Sequence, residues 1–280
     1  MPVLVIAPWI GPRAQTLLVE EQINYLDPTG NVRIQADDPA VFISSSGATR
    51  DPQASVRGAA RVRGPKSGRL IRALVDVRPP YGVGELADAT RLAPGYVSRM
   101  LDTLDREALV QRGPRGRVES VETIALLRRW AESYDVLSAN AARGFVARDA
   151  AEAYAALADM PGRVAVTGSF AAVRLAPVAA PAVLTVYCEH VDGVAGKLGL
   201  LPADEGANVV LLRPFDDVVW TGVRRMDAVD TVAPAQIAVD CLTGTGRMPA
   251  EGEAVLSWMA GDESSWRADS LAGLSVPAAA

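Results

Sequence analysis

The chain has 280 residues, 49% of them hydrophobic and 22% charged, with a formal net charge of −5. That length suits two or three domains with cores of their own, and the balance excludes disordered and collagen-like chains. No apolar run reaches about 18 residues, so no membrane span is expected, and MPVLVIAPWIGPRAQ lacks the basic start of a signal peptide. Two cysteines, Cys188 and Cys241, sit in apolar surroundings and point to buried thiols and a cytoplasmic location. With His190 as the one histidine and no spaced cysteine pair, a zinc site or a Ser-His-Asp triad would rest on a single residue. No metal, no cofactor and no enzyme activity are therefore expected.

Residues 1–48 predict a small α/β domain. Val3 to Ile6 reads as a strand, Pro12 to Gln22 as a helix, and Ile23 to Leu26, Asn31 to Gln35 and Val41 to Ser45 as further strands. Asp27-Pro28-Thr29-Gly30-Asn31 is a hairpin turn. This order faintly resembles a restriction-endonuclease-like core, with Asp27 at a strand end. The strand that should add an acidic residue and a lysine, Val41-Phe42-Ile43-Ser44-Ser45, has neither. A degenerate nuclease-like unit, with Asp27 and Asn31 as turn formers, is the better reading.

Residues 49–66 read as a basic linker, rich in Arg, Gly, Ala and Ser. Charge is concentrated around it: Arg50 to Val118 holds 14 Lys/Arg against 7 Asp/Glu, while the rest of the chain is acidic. An acidic protein with one basic segment gathers positive potential where phosphates would be met. Arg57, Arg61, Arg63, Lys66, Arg69 and Arg72 could line a DNA backbone or merely solvate the linker.

Residues 67–121 carry the strongest pattern. Leu70 to Val77 predicts a first helix and Val83 to Thr90 a second. Arg91-Leu92-Ala93 makes a turn, and Pro94 suits the first position of a third helix. In that helix Val97, Met100, Leu101 and Leu104 form one apolar stripe, with Gly95, Ser98, Arg99 and Asp102 opposite. Small and polar residues beside an arginine suit a helix that enters a major groove. Leu109-Val110 and Arg117-Val118 then flank the breaker run Gly113-Pro114-Arg115-Gly116, a hairpin presenting Arg112, Arg115 and Arg117. The segment resembles a winged helix-turn-helix DNA-binding domain. Ser98 and Arg99 would read bases, Tyr96 would stand near the backbone, and Arg112, Arg115, Arg117, Lys66 and Arg69 would meet phosphates or the minor groove.

A connecting helix is expected within 122–148, from Val121 to about Tyr134, with Ile124, Leu126, Leu127 and Trp130 clustered for dimer contacts or for packing on the next domain. Residues 149–262 alternate helix and strand, the expected strands being Val164 to Thr167, Val183 to Cys188, Val209 to Leu212 and Val218 to Trp220. Ala150 to Asp159, Ala233 to Leu242 and Pro249 to Met259 read as helices. Strand, Gly168-Ser169, helix, strand is how nucleotidyltransferase-fold enzymes begin their site. The second strand should then bear two alternating carboxylates, and Val183 to Cys188 has none; Glu189 stands alone beyond it. A nucleotidyltransferase-like domain without its chemistry is expected, followed by a tail at 263–280 that is frayed from Ser275 to Ala280. The whole is an α/β and α+β multidomain chain.

Taken in order, these pieces resemble the AbiEi-like antitoxin and transcriptional-regulator family of type IV toxin–antitoxin systems. The carrying residues are Gly95-Tyr96-Val97-Ser98-Arg99, Val166-Thr167-Gly168-Ser169-Phe170-Ala171-Ala172, Gly206-Ala207-Asn208-Val209, Arg213-Pro214-Phe215-Asp216 and Val232-Ala233-Pro234-Ala235-Gln236-Ile237-Ala238-Val239-Asp240-Cys241-Leu242. Ile23 to Asp27 with Gly30-Asn31 also resembles the front domain of some members. The resemblance implies a cytoplasmic regulator that binds inverted repeats in double-stranded DNA and represses, as a homodimer, with a possible cognate toxin as partner and no membrane. Rival readings remain: an antitoxin acting only on a protein partner, a nucleotidyltransferase using Ser169 and Glu189, a metal nuclease using Asp27, and a sensor holding a nucleotide or anion at Gly168-Ser169.

Overall fold

A computed structural model describes residues 3–37, 39–48 and 62–274, which form a mixed α/β structure. The chain separates into two compact units, Met1–Ala60 with Asp102–Ala108, and Arg61–Leu101 with Leu109–Ala280. Most of the basic linker, with Arg57 and Arg61, lies outside the described residues.

The front unit holds β1 (Leu4–Ile6), α1 (Pro12–Glu20), β2 (Asn24–Leu26), β3 (Val32–Asp37) and β4 (Ala40–Ser45). Its sheet runs β1-β2-β3-β4, with β1 parallel to β2 and the other pairs antiparallel. Asp27 organises the β2–β3 turn. Its buried carboxylate accepts from the backbone of Ile10 (2.8 Å) and Thr29 (2.8 Å) and from Asn31 Nδ2 (2.9 Å). Burial alone would raise its pKa, but the hydrogen bonds from Thr29, Asn31 and Ile10 outweigh it and hold the group well below the usual carboxylate range. Among the described residues of 1–48 only Ile10 and Tyr25 are buried and apolar; Leu104, from the second stretch of the unit, adds a third.

The second unit opens with α2 (Pro65–Asp76). It begins five residues before the expected Leu70, because Gly64 at φ 82° breaks the extended chain and Pro65 fits the first helical position. α3 (Val83–Thr90) and α4 (Pro94–Arg106) follow, then β5 (Val110–Arg112) and β6 (Val118–Val121). The α3–α4 turn closes at Arg91, which is left-handed (φ 54°), and Leu92 N–H returns to Ala87 O at 3.0 Å while its side chain is buried. Tyr81 bridges β6 at Val118, and its hydroxyl donates to Leu74 O at 3.1 Å.

The expected connecting helix is shorter and the segment richer than the sequence suggested. It holds α5 (Thr123–Ala131), α6 (Val136–Ala139) and a strand, β7 (Ala141–Val146). Alanines hide that strand in the sequence; its state is fixed by pairing with β11 along five residues, and at Gly144 an added Cβ would lie 2.5 Å from Ala203 O. Further along come α7 (Ala150–Ala156), β8 (Val164–Thr167), α8 (Gly168–Leu175), β9 (Leu184–Cys188), α9 (Val191–Lys197), β10 (Leu201–Pro202), β11 (Val209–Arg213), β12 (Arg224–Met226), β13 (Val229–Thr231), α10 (Pro234–Leu242) and α11 (Met248–Gly261). The sheet order is β10-β7-β11-β9-β8-β13-β12. Central β9 is buried throughout, as its unbroken apolar run requires.

One expectation fails here. Val218 to Trp220 is a 3₁₀ turn, not a strand, because Asp216 Oδ1 caps Val218 N–H at 3.0 Å. The tail is docked as far as it is described: Trp266 is buried with its indole donating to Met259 O (2.9 Å), Ala268 pairs with Val77, and Arg267 donates to Val77 O (2.8 Å). Residues 275–280 lie outside the described set.

Arg72 joins the helical segment to the sheet. Expected on a DNA-facing or solvated surface, it is 0% exposed. Its Nε meets Asp76 at 2.7 Å, and its two terminal nitrogens donate to Gln236 Oε1 (3.1 Å), Val218 O (3.4 Å) and Thr221 O (2.8 Å). Gln236 Nε2 in turn donates to Asp240 (2.8 Å), which also accepts from Thr167 Oγ1 (2.7 Å), Tyr134 OH (2.9 Å) and Tyr187 OH (3.0 Å). Burial pushes the Asp240 carboxyl up to about 6, against the pull of those four donors.

Two predictions follow from this core. Arg72→Met, which strands Asp76 and Gln236, should cost about 3–5 kcal/mol in urea unfolding, and adding Asp76→Leu should recover much of it. A loss from the single change too small to measure would remove the clamp. Asp240 is neutral-favouring when folded, so the stability it contributes is complete below its unfolded value of about 3.9 and lost as pH rises through about 6. Native stability minus that of Asp240→Asn should therefore fall by about 2–3 kcal/mol between pH 4 and 7, then level off. A pH-independent difference would show that Asp240 does not titrate there.

Candidate nucleic-acid interface

The site is built on α4. Val97, Met100, Leu101 and Leu104 are all fully buried, so the apolar stripe faces inward as its spacing requires. Gly95, Arg99 and Asp102 are exposed on the other side and Ser98 is half-buried. The Arg99 guanidinium lies back toward Gly95, where an added Cβ would stand 3.6 Å from Nη1.

The remaining candidates separate into two kinds. Lys66, in the first turn of α2, and Arg115, at the hairpin tip with φ 61°, are exposed and have no ion pair among the described residues. The others are held by the protein. Tyr96 OH is 3.0 Å from Ser67 Oγ, tying α4 to α2. Arg112 Nε donates to Gly116 O (3.2 Å) across its own turn. Arg117 reaches Glu85 (3.2 Å) and Pro80 O (3.1 Å), bracing the hairpin against the start of α3. Arg69 sits against Asp216 with both carboxylate oxygens at 2.9 Å from Nε and one at 2.7 Å from Nη2. Hydrogen bonding to Asp216 raises the Arg69 pKa despite partial burial, so the charge is fixed and directed into the protein.

The Gly168-Ser169 turn also lies where the order of strand and helix put it, at the end of β8. Its hydroxyl is engaged, however: Ser169 Oγ donates to Glu251 of α11, and both residues are buried. A carboxylate in that position repels a phosphate. Glu251 has no sequence signal of its own, since it looks like an ordinary first-turn acid of α11. Glu189 and His190 line an open cavity of about 540 Å³ with Arg143, Asp192 and Arg213, and Glu189 lies 3.5 Å from Arg163. Among the described residues no three His, Cys, Asp or Glu side chains gather to hold a metal, and no helix is long and apolar enough to cross a membrane.

No curated protein and no solved structure matches the chain. Residues 119–257, from β6 into α11, match the family model of the transcriptional regulator and AbiEi antitoxin of type IV toxin–antitoxin systems, so the resemblance read from the sequence holds over that segment.

Proposed function

We propose that the chain is a sequence-specific DNA-binding transcriptional regulator, a dimeric repressor related to type IV antitoxins. In this reading Pro65 to Val121 is a winged helix-turn-helix domain. The sheet domain behind it is nucleotidyltransferase-like in the order of its first elements and has no catalytic role. The observation that carries the proposal is α4 itself: a helix whose buried stripe leaves Gly95, Ser98 and Arg99 outward, entered through a tight left-handed turn from α3 and followed by a basic hairpin. Ser98 and Arg99 read base edges, and Lys66 and Arg115 meet phosphates. Tyr96, Arg69, Arg112 and Arg117 hold these elements in place.

A second role has its own support. The family match covers the sheet domain and stops short of α4, so the segment that carries the antitoxin likeness is not the proposed reading helix. A cognate toxin, bound through the sheet domain, is the partner that this division suggests.

Capture of genomic fragments by the purified protein should yield an inverted repeat; fragments without a shared motif would overturn sequence-specific binding. On that site Arg99→Ala should cost about 1–3 kcal/mol and much less on random DNA. Equal loss on both would make Arg99 a phosphate clamp only. The Arg99→Ala protein should still bind a cognate toxin as the native chain does, which separates the two roles. Arg115→Ala should weaken binding on every sequence and reduce the salt dependence by about one counterion. An unchanged salt slope would take the hairpin out of the interface.

A further inference from the structure

The two larger sheets treat their edges in opposite ways. In the seven-stranded sheet one edge, β10, is two residues long and includes Pro202, and the other, β12, carries Arg224 and Arg225. Short strands, proline and charge are the usual means of keeping an edge from pairing. β4 itself contains no charged residue and no proline; the Arg33 guanidinium of β3 lies 5.3 Å over the Phe42 ring. That edge strand is six residues long, reads Ala-Val-Phe-Ile-Ser-Ser, and is exposed along its whole length, with Phe42 63% and Ile43 49% accessible. Among the described residues no strand lies on its outer side. Among the described residues of 1–48 only Ile10 and Tyr25 are buried and apolar, so little of the apolar content of these strands is spent on a core of their own.

We infer that β4 is the pairing edge of a homodimer, two copies of the chain joining β4 to β4 antiparallel across a two-fold axis. A row of unpaired backbone donors and acceptors calls for another strand, and an uncharged strand meets its own copy without repulsion. Around a two-fold, opposite residues share a face of the sheet, so their numbers sum to an even value. With Phe42 opposite Phe42 of the second copy, Val41 falls opposite Ile43 and Ala40 opposite Ser44. Every large apolar residue of the strand then meets another. The proposal rests on the functional reading above only in that a two-fold DNA site calls for a two-fold protein; the pairing itself stands apart from DNA.

The test uses the full-length protein without DNA. Light scattering on the eluting native chain at about 100 μM, where even a Kd of about 10 μM gives mostly dimer, should report twice the chain mass. Phe42→Lys places like charges opposite each other and should weaken the dimer at least about tenfold with an unchanged circular dichroism spectrum. Should that variant unfold, Phe42→Cys gives the second measurement. Opposite Cα atoms at about 4.5–5.5 Å are within disulfide reach, so mild oxidation should link the two copies. Ser45→Cys, about 20 Å from its mate in this register, should not link. Cys188 and Cys241 are fully buried and do not compete. A monomeric native chain, a dimer indifferent to Phe42→Lys, or equal cross-linking at both positions overturns the inference. A β4 dimer that binds no DNA would instead overturn the functional reading alone.

Discussion

The second unit depends on the burial of one guanidinium. Arg72 can lie inside the protein because each of its nitrogens finds an acceptor: a carboxylate on its own helix, a glutamine on α10 and two carbonyls around the Asp216 turn. A buried arginine lacking any of these would cost several kcal/mol, so the acceptors must be in place together. That requirement fixes α2 against the sheet domain. Arg69 repeats the connection one turn earlier through Asp216, the residue that also caps the 3₁₀ turn supplying Val218 O. α2 and the sheet are therefore held together, and they fall in the same unit.

That attachment reaches α4. Ser67, one turn before Arg72 on the same helix, meets the Tyr96 hydroxyl at the start of α4, while the α4 stripe is buried behind it. Hydrogen bonds therefore run without a gap from Asp240 in the sheet domain through Gln236 to Arg72, and α2 carries the connection on to Tyr96. The exposed face of α4 is thus positioned by the sheet domain as well as by its own turn. A partner that altered the packing of α10 would act on the same support that holds α4.

Much of this was legible in the sequence, and the exceptions have physical causes. The α4 stripe could be read because Val97, Met100, Leu101 and Leu104 repeat at helical spacing, and the β5–β6 hairpin because its turn is rich in glycine and proline. The front strands and α10 emerged for similar local reasons. The β12–β13 hairpin did not, because its turn places Asp227 and Ala228 at positive φ without a glycine to announce it. β7 reads as alanine-rich chain and becomes a strand only through its neighbours β10 and β11. Arg72 and Arg69 look like the surface arginines around them. Asp76 apart, their partners are more than 140 residues away in sequence, and no local pattern distinguishes a paired, buried arginine from a solvated one.

The Gly168-Ser169 turn shows the same limit from the other side. Strand, turn and helix follow in the expected order, and the backbone takes a positive φ at Gly168, where a Cβ would press on Met248 and Thr185. What decides the use of such a turn is whether its donors point to open space. Here the serine is satisfied by Glu251, the adjacent Thr167 by Asp240, and Asp240 by two tyrosines and a glutamine. A phosphate arriving at Ser169 would have to displace a carboxylate and remain beside it. The polar groups around this turn are occupied by one another, so a partner of the domain is to be sought away from the turn.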